Sequence, residues 1–235
     1  MHDFGHAFSL AWGLILTADP MLVEIASLSL SVSVSAVLIA CTLGLPIGAF
    51  LATTQFPARS LAIVLLNALM GLPPVVVGLC VYVLLSNAGP LGWLHLLYSP
   101  TAMIIAQTVL VTPLVAALAR QVLEDLHDEY AEQFQSLCVP PLTAIRVLLW
   151  DARYSLLTVA LAGFGRAIAE VGAVIIVGGN IKHVTRVMTT AIALETSKGD
   201  LALALALGLI LITLALGVNA AVSVLRTTAS RWAYV

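Results

Sequence analysis

Apolar runs long enough to cross a bilayer alternate with short polar breaks along most of the chain. About 20 consecutive apolar residues suffice for a membrane helix. The pattern predicts five such spans: 21–52, 61–86, 101–119, 154–177 and 201–225. The first holds a serine row (Ser27, Ser29, Ser31, Ser33, Ser35) that alternates like a strand. An isolated strand in lipid leaves its backbone groups unsatisfied, so a helix is predicted, with the small residues allowing close helix contact. Gly44 and Pro46 predict a kink near its end, and Pro113 interrupts the third span. The second carries Gly71-Leu72-Pro73-Pro74, which frees backbone carbonyls and reads either as a structural kink or as a bend lining a pathway. Residues 1–20 are too short an apolar stretch to span and read as an interfacial helix with Trp12 at headgroup level.

One polar stretch interrupts this pattern. Residues 120–153 hold Arg120, Glu124, Asp125, Asp128, Glu129, Glu132, Arg146, Asp151 and Arg153, nine of the 22 charged residues in the protein. Leu123, Leu126, Tyr130 and Phe134 recur at helical spacing and predict an amphipathic helix over 124–137. Pro140-Pro141 ends it, and 142–151 reads as a second short helix with Ile145, Leu148 and Leu149 on one side. A polar module between membrane spans is a place for a soluble partner to grip. Segments 53–60, 87–100 and 181–200 read as loops.

Composition agrees with a membrane protein. Charged residues are 9% of 235 and mean hydropathy is +1.07, against about 25% charged in an ordinary soluble domain. The net charge of −2 offers no basic patch for nucleic acid. Arg59, Arg120, Arg146, Arg153, Arg226 and Arg231 fall on one side of the five-span topology, and Lys182, Arg186 and Lys198 on the other. The basic excess puts the polar module and the C-terminus in the cytoplasm and the N-terminus outside. The first basic residue is Arg59, which argues against a cleaved secretory leader.

Candidate chemistry is sparse. No P-loop and no H-E-x-x-H motif occurs, the five histidines are scattered, and Cys41, Cys80 and Cys138 show neither a disulfide framework nor metal-ligand spacing. An enzyme is not expected, and no metal or cofactor is expected in this chain. Arg166 and Glu170 lie four apart in the fourth span and share a helical face. Charges at mid-membrane are costly, so the pair reads either as a gate or pathway lining, or as a structural ion pair. Gly163, Gly165 and Gly172 read as close-packing sites or hinges. Gly178, Gly179 and Asn180 form a turn that offers backbone N–H groups to an anion, with Lys182, Thr185, Arg186, Thr189 and Thr190 in reach, or simply ends a helix.

Residues 129–151 resemble the cytoplasmic loop of binding-protein-dependent ABC importer permeases, whose signature is E-A-A, three residues, G, nine residues, I-x-L-P. Glu132 takes the Glu position, Gln133 and Phe134 replace the alanines, Cys138 stands at Gly, and Leu148, Trp150 and Asp151 stand at Ile, Leu and Pro. The runs Leu72–Gly78, Gly163–Ala173, Val177–Ile181 and Thr185–Ile192, with Glu195, are similar to the tungstate-type branch of the molybdate/tungstate/sulfate permeases. The resemblance implies an all-α integral membrane protein of the type I importer permease fold, here one domain over 1–235, in a bacterial inner membrane. It implies a homodimer with the pathway between two copies. It also implies two ATP-binding subunits that carry ATP and Mg, and an extracytoplasmic protein that delivers the oxyanion. Glu129, Glu132, Cys138 and Leu148 would belong to the loop that couples to the ATPase, and Arg166, Glu170, Gly178, Gly179, Asn180, Thr189 and Thr190 to the pathway or its gate. The substrate stays open among tungstate, molybdate and sulfate. An ion-coupled secondary transporter is the competing class; its usual mark, an inverted repeat, is not found.

Overall fold

The computed structural model describes residues 2–232, with side chains described for 8–220 and 224. Arg226 and Arg231, counted above for orientation, have side chains outside that set. The α-helices, in chain order, are α1 (His2–Leu16), α2 (Pro20–Thr53), α3 (Arg59–Met70), α4 (Pro74–Leu85), α5 (Pro100–Ser136), α6 (Pro141–Asp151), α7 (Arg153–Ile168), α8 (Gly172–Gly178), α9 (Met188–Lys198) and α10 (Leu201–Trp232), with a 3-10 turn at Gly92–Leu94 in the longer connection before α5. Helices α2, α5 and α10 are each long and apolar enough to cross a membrane. The bent pairs α3–α4 and α6–α7 bring the number of possible crossings to five. The protein is therefore an all-α multi-pass membrane bundle.

Helices α2 and α5 form the spine. A Cβ on Gly44 would lie 3.1 Å from the Thr112 carbonyl, and one on Gly48 would lie 2.7 Å from the Ala116 carbonyl. Later residues of α2 thus meet later residues of α5, so the two helices run in the same direction with their backbones nearly touching. Small residues make this approach possible, and it maximises dispersion contact where lipid supplies no hydrophobic drive. Parallel neighbours require a return crossing between them. The α3–α4 pair supplies it.

The structure departs from the sequence pattern at several points. The Pro73-Pro74 kink is a full break: α3 and α4 meet at 96°. Two successive residues without N–H groups leave the Leu69 and Met70 carbonyls without their helical donors, and Pro74 instead starts α4 at its first position, where no N–H is needed. The third span and the amphipathic helix are one α5 of 37 residues: it runs on through Pro113, which does not interrupt it, and no breaker lies between Ala119 and Ser136. The fourth span stops at Ile168, turns, and resumes as α8. The supposed loop 181–200 contains α9.

Helix α1 does not merely lie at an interface. It packs on α10, and Ala11 is fully buried in the cluster formed with Ile25, Met188 and Leu207. Trp12 is exposed.

Candidate functional site

Two polar regions stand out against the apolar bundle. The first is the module at the end of α5. Residues past Arg120 continue the helix, and the chain then reverses through Leu137–Pro140 into α6. The Val139 N–H donates to the Phe134 carbonyl and the Cys138 N–H to the Gln135 carbonyl. This is the paired-bond helix ending that puts its second-last residue in the left-handed region. Cys138 occupies that position with φ +48, where the importer signature has glycine.

Leu148 is 1% exposed and packs with Leu123, Ala119, Ala49 and Ala52. It anchors α6 onto the end of α2 and the middle of α5. The exposed side of the module carries Glu129, Glu132 and Cys138 with Leu137, Leu142, Val147 and Trp150, of which Leu137 and Trp150 are 74% and 72% exposed. Leu137, Leu142 and Val147 were not singled out from the sequence, and Trp150 only as a signature position; their signal is a large residue on the polar face of an amphipathic helix. Helix α6 meets α7 at 73°, so it lies across the bundle rather than along it. The Arg153 guanidinium sits over the Trp150 and Tyr154 rings at 4.9 and 4.5 Å, and its Nη1 donates to the Trp150 carbonyl.

The second region is the break between α7 and α8. Glu170 lies past the helix end, yet its Oε2 is 3.7 Å from Arg166 Nη1. The pair expected on one helical face is kept by the turn that ends the helix. Its halves differ: the Glu170 side chain is 5% exposed and that of Arg166 is 41% exposed. Glu170 Oε1 accepts the Ala173 N–H, satisfying a donor in the first turn of α8. The Thr189 hydroxyl donates to the Glu170 carbonyl. Gln107 Nε2 donates to the Ala167 carbonyl at 3.0 Å.

The Gly178–Asn180 turn is largely satisfied from within. The Gly179 N–H donates to Ile175, and the Thr185 hydroxyl donates to the Gly178 carbonyl while accepting the Ile181 N–H. Asn180 exchanges hydrogen bonds with Thr190 through Nδ2 and Oδ1. The structure therefore brings Glu170 to Thr189, and Asn180 to Thr190. It keeps Glu129, Glu132, Cys138 and Leu148 apart from them, in the other polar region. Gly163 and Gly172 sit in close contacts, 3.1 Å from Val111 and 2.9 Å from Val75 for an added Cβ, whereas Gly165 meets nothing within 4 Å.

At the far end of α2, Glu24 pairs with His183 at 2.8 Å, and Arg186 and Lys198 converge on the buried Glu195. Two arginines, Arg59 and Arg120, meet on Glu124 at the opposite end.

Residues 44–230 match the family of binding-protein-dependent transport system inner membrane components. The chain belongs to that family. The permease is 40% identical over 226 residues to the tungstate uptake system permease protein TupB of Peptoclostridium acidaminophilum, covering 96% of this chain and 99% of the relative. It is 40% identical over 204 residues to a probable anion ABC transporter permease protein of Haloferax volcanii, covering 85% and 88%. Similarity to the molybdenum transport system permease protein ModB of Azotobacter vinelandii is 26% over 185 residues, covering 75% and 79%. The permease is thus a membrane transport subunit and not an enzyme.

Proposed function

We propose that the permease forms the membrane pathway of an ATP-driven oxyanion importer, with tungstate as its substrate and molybdate or sulfate as the alternatives. Two copies enclose the pathway as a homodimer. A separate pair of ATP-binding subunits carries ATP and Mg, and an extracytoplasmic protein delivers the anion. The whole chain acts as one permease domain. It sits in a bacterial inner membrane with the N-terminus outside, and with the polar module and C-terminus in the cytoplasm.

The observation that carries this reading is the continuity of α5 into the polar module. A rigid helix leaves the spine, turns at Cys138, and returns as a cross-lying α6 anchored by Leu148. A push on the exposed face of Glu129, Glu132, Leu142 and Trp150 then moves α2, α5 and α7 together. ATP binding closes the ATPase dimer and opens the spans outward; hydrolysis resets them inward. Arg166, the half-exposed partner of Glu170, is the pathway or gate cation, with Gly178, Gly179, Asn180, Thr189 and Thr190 shaping the wall behind it. Few fixed cations suit a pathway from which the anion must leave.

The test is ATP hydrolysis by the reconstituted complex in liposomes with delivery protein and tungstate, molybdate or sulfate. Tungstate is expected to stimulate most. Uptake driven by an ion gradient without an ATPase would overturn the reading in favour of a secondary transporter.

A further inference from the structure

One buried acceptor lacks a donor at the centre of the bundle. Gln107, on α5, is 3% exposed, and its Oε1 has no hydrogen-bond partner. Rotating the amide does not cure this. Nε2 already donates to the Ala167 carbonyl, so a flip would set two acceptors against each other and leave a donor orphaned instead. A buried carbonyl oxygen without a donor costs about 1–3 kcal/mol, and such atoms are usually paired or hydrated.

Gln107 lines a small cavity with Ser29 and Ser33 of α2, Glu170 of the break, Thr189 of α9, and Ile168. The room open to a water's centre is about 10 Å³. That is the lower limit for one water, which also needs 2–4 polar partners. Ser29 already donates to the Ile25 carbonyl and accepts the Met188 N–H, and Thr189 donates to the Glu170 carbonyl. The charge of Glu170 has Arg166 beside it, so the cavity does not call for a cation.

We infer that this cavity is a binding site for a single ordered water, which donates one hydrogen to Gln107 Oε1 and the other to the Glu170 carboxylate. The Ser33 hydroxyl, 2% exposed on the same wall, is its donor. The water ties α5 and α2 to the interruption between α7 and α8, three elements that share no helix. Its place in the structure does not depend on which anion is carried.

X-ray hydroxyl-radical footprinting of the full chain in lipid nanodiscs tests this. Radicals form from waters where they stand, so a buried side chain beside a bound water is oxidised while a dry one is not. Ile168 and Val187 line the cavity and are each 5% exposed; Val81 is equally secluded at 5% and lies off the cavity. Several-fold faster oxidation of Ile168 and Val187 than of Val81 is expected, with loss of that excess in Gln107→Leu. Gln107→Met serves if the leucine variant does not fold. Equal oxidation at the three positions in the wild type would overturn the inference. So would silent positions 168 and 187 joined to a melting temperature that rises with Na⁺ at constant ionic strength, which would put a cation there. An excess that persists in the folded variant would remove Gln107 as the water's anchor.

Discussion

The Tyr130 hydroxyl donates to Asp151 Oδ2 at 2.7 Å and so joins the α5 extension to the last residue of α6. Twenty-one residues separate the two, and the turn at Cys138 lies between them. The bond closes the module into a loop with two fixed ends. Asp151 stands where the importer signature has proline, so this chain fixes the exit of α6 with a side-chain contact instead of a rigid ring.

Tyr130 lies in the polar extension, beyond the span. The hydrogen bond to Asp151, and then that carboxylate's charge, hold its phenol above the ordinary tyrosine value. A raised folded-state pKa means that the bond's contribution is complete below the unfolded value, about 10. It is lost as pH climbs through the higher folded value. The ultraviolet difference titration of wild type minus Tyr130→Phe is expected to show a phenolate appearing later than in a free tyrosine. The Phe variant should keep its fold and lose ATPase coupling efficiency in the reconstituted complex.

Cys138→Gly is expected to stabilise the protein. The left-handed conformation costs an L-residue roughly 1–2 kcal/mol, and glycine gives back about half of that through its freer unfolded chain. A net gain of up to about 1 kcal/mol should appear as a higher melting temperature in detergent. An unchanged or lower melting temperature would mean that the thiol makes a compensating contact.

Gly48→Ala should do the opposite. The added methyl would sit 2.7 Å from the Ala116 carbonyl, 2.9 Å from Ala119 Cβ and 3.0 Å from the Arg120 nitrogen. Two of these are backbone atoms, which cannot step aside without parting α2 from α5. Overpacking of this kind costs about 1–3 kcal/mol. A thermal-shift series with Gly165→Ala as the control, where nothing lies within 4 Å, separates crowding from helix propensity. Only the first substitution should lower the melting temperature.

Arg166 and Glu170 should separate in their phenotypes. Glu170→Leu leaves the Ala173 N–H and the cavity acceptors facing an apolar side chain, so folded yield in membranes should fall. Arg166→Gln removes a half-exposed charge but keeps a donor beside the buried Glu170 carboxylate, so the chain should fold while anion uptake slows. Equal loss of folded protein in both would make the pair purely structural.

The three unbroken apolar helices, and the ceiling of five crossings, were legible because length and hydropathy are properties of a contiguous run. So was the Arg166–Glu170 contact, four residues apart. What lay hidden depended on distance along the chain. Gln107 reads as one polar residue in an apolar run, and its partner carbonyl is 60 residues away. Ser29 and Ser33 read as small spacers, yet Ser29 accepts the Met188 N–H across 159 residues. Pro73-Pro74 announced a bend, but its angle is set by where α4 must pack: a Cβ on Gly78 would fall 2.7 Å from Ala173 Cα in α8. The module's amphipathic period was read correctly, while its fusion with the third span was not, since a change of polarity alone does not end a helix.

The meeting of Arg59 and Arg120 on one carboxylate, Glu124, has a mechanical corollary. The turn after α2 is strapped to α5 at the level where the helix leaves the bundle, and the Arg59 Nε–H also holds the Leu51 carbonyl. Pulling the two segments apart would strand opposite charges in a poorly hydrated place. A stroke delivered to the tip of α5 therefore drags the first hairpin with it, and the return crossing through α3 and α4 is hauled from its base rather than left to follow.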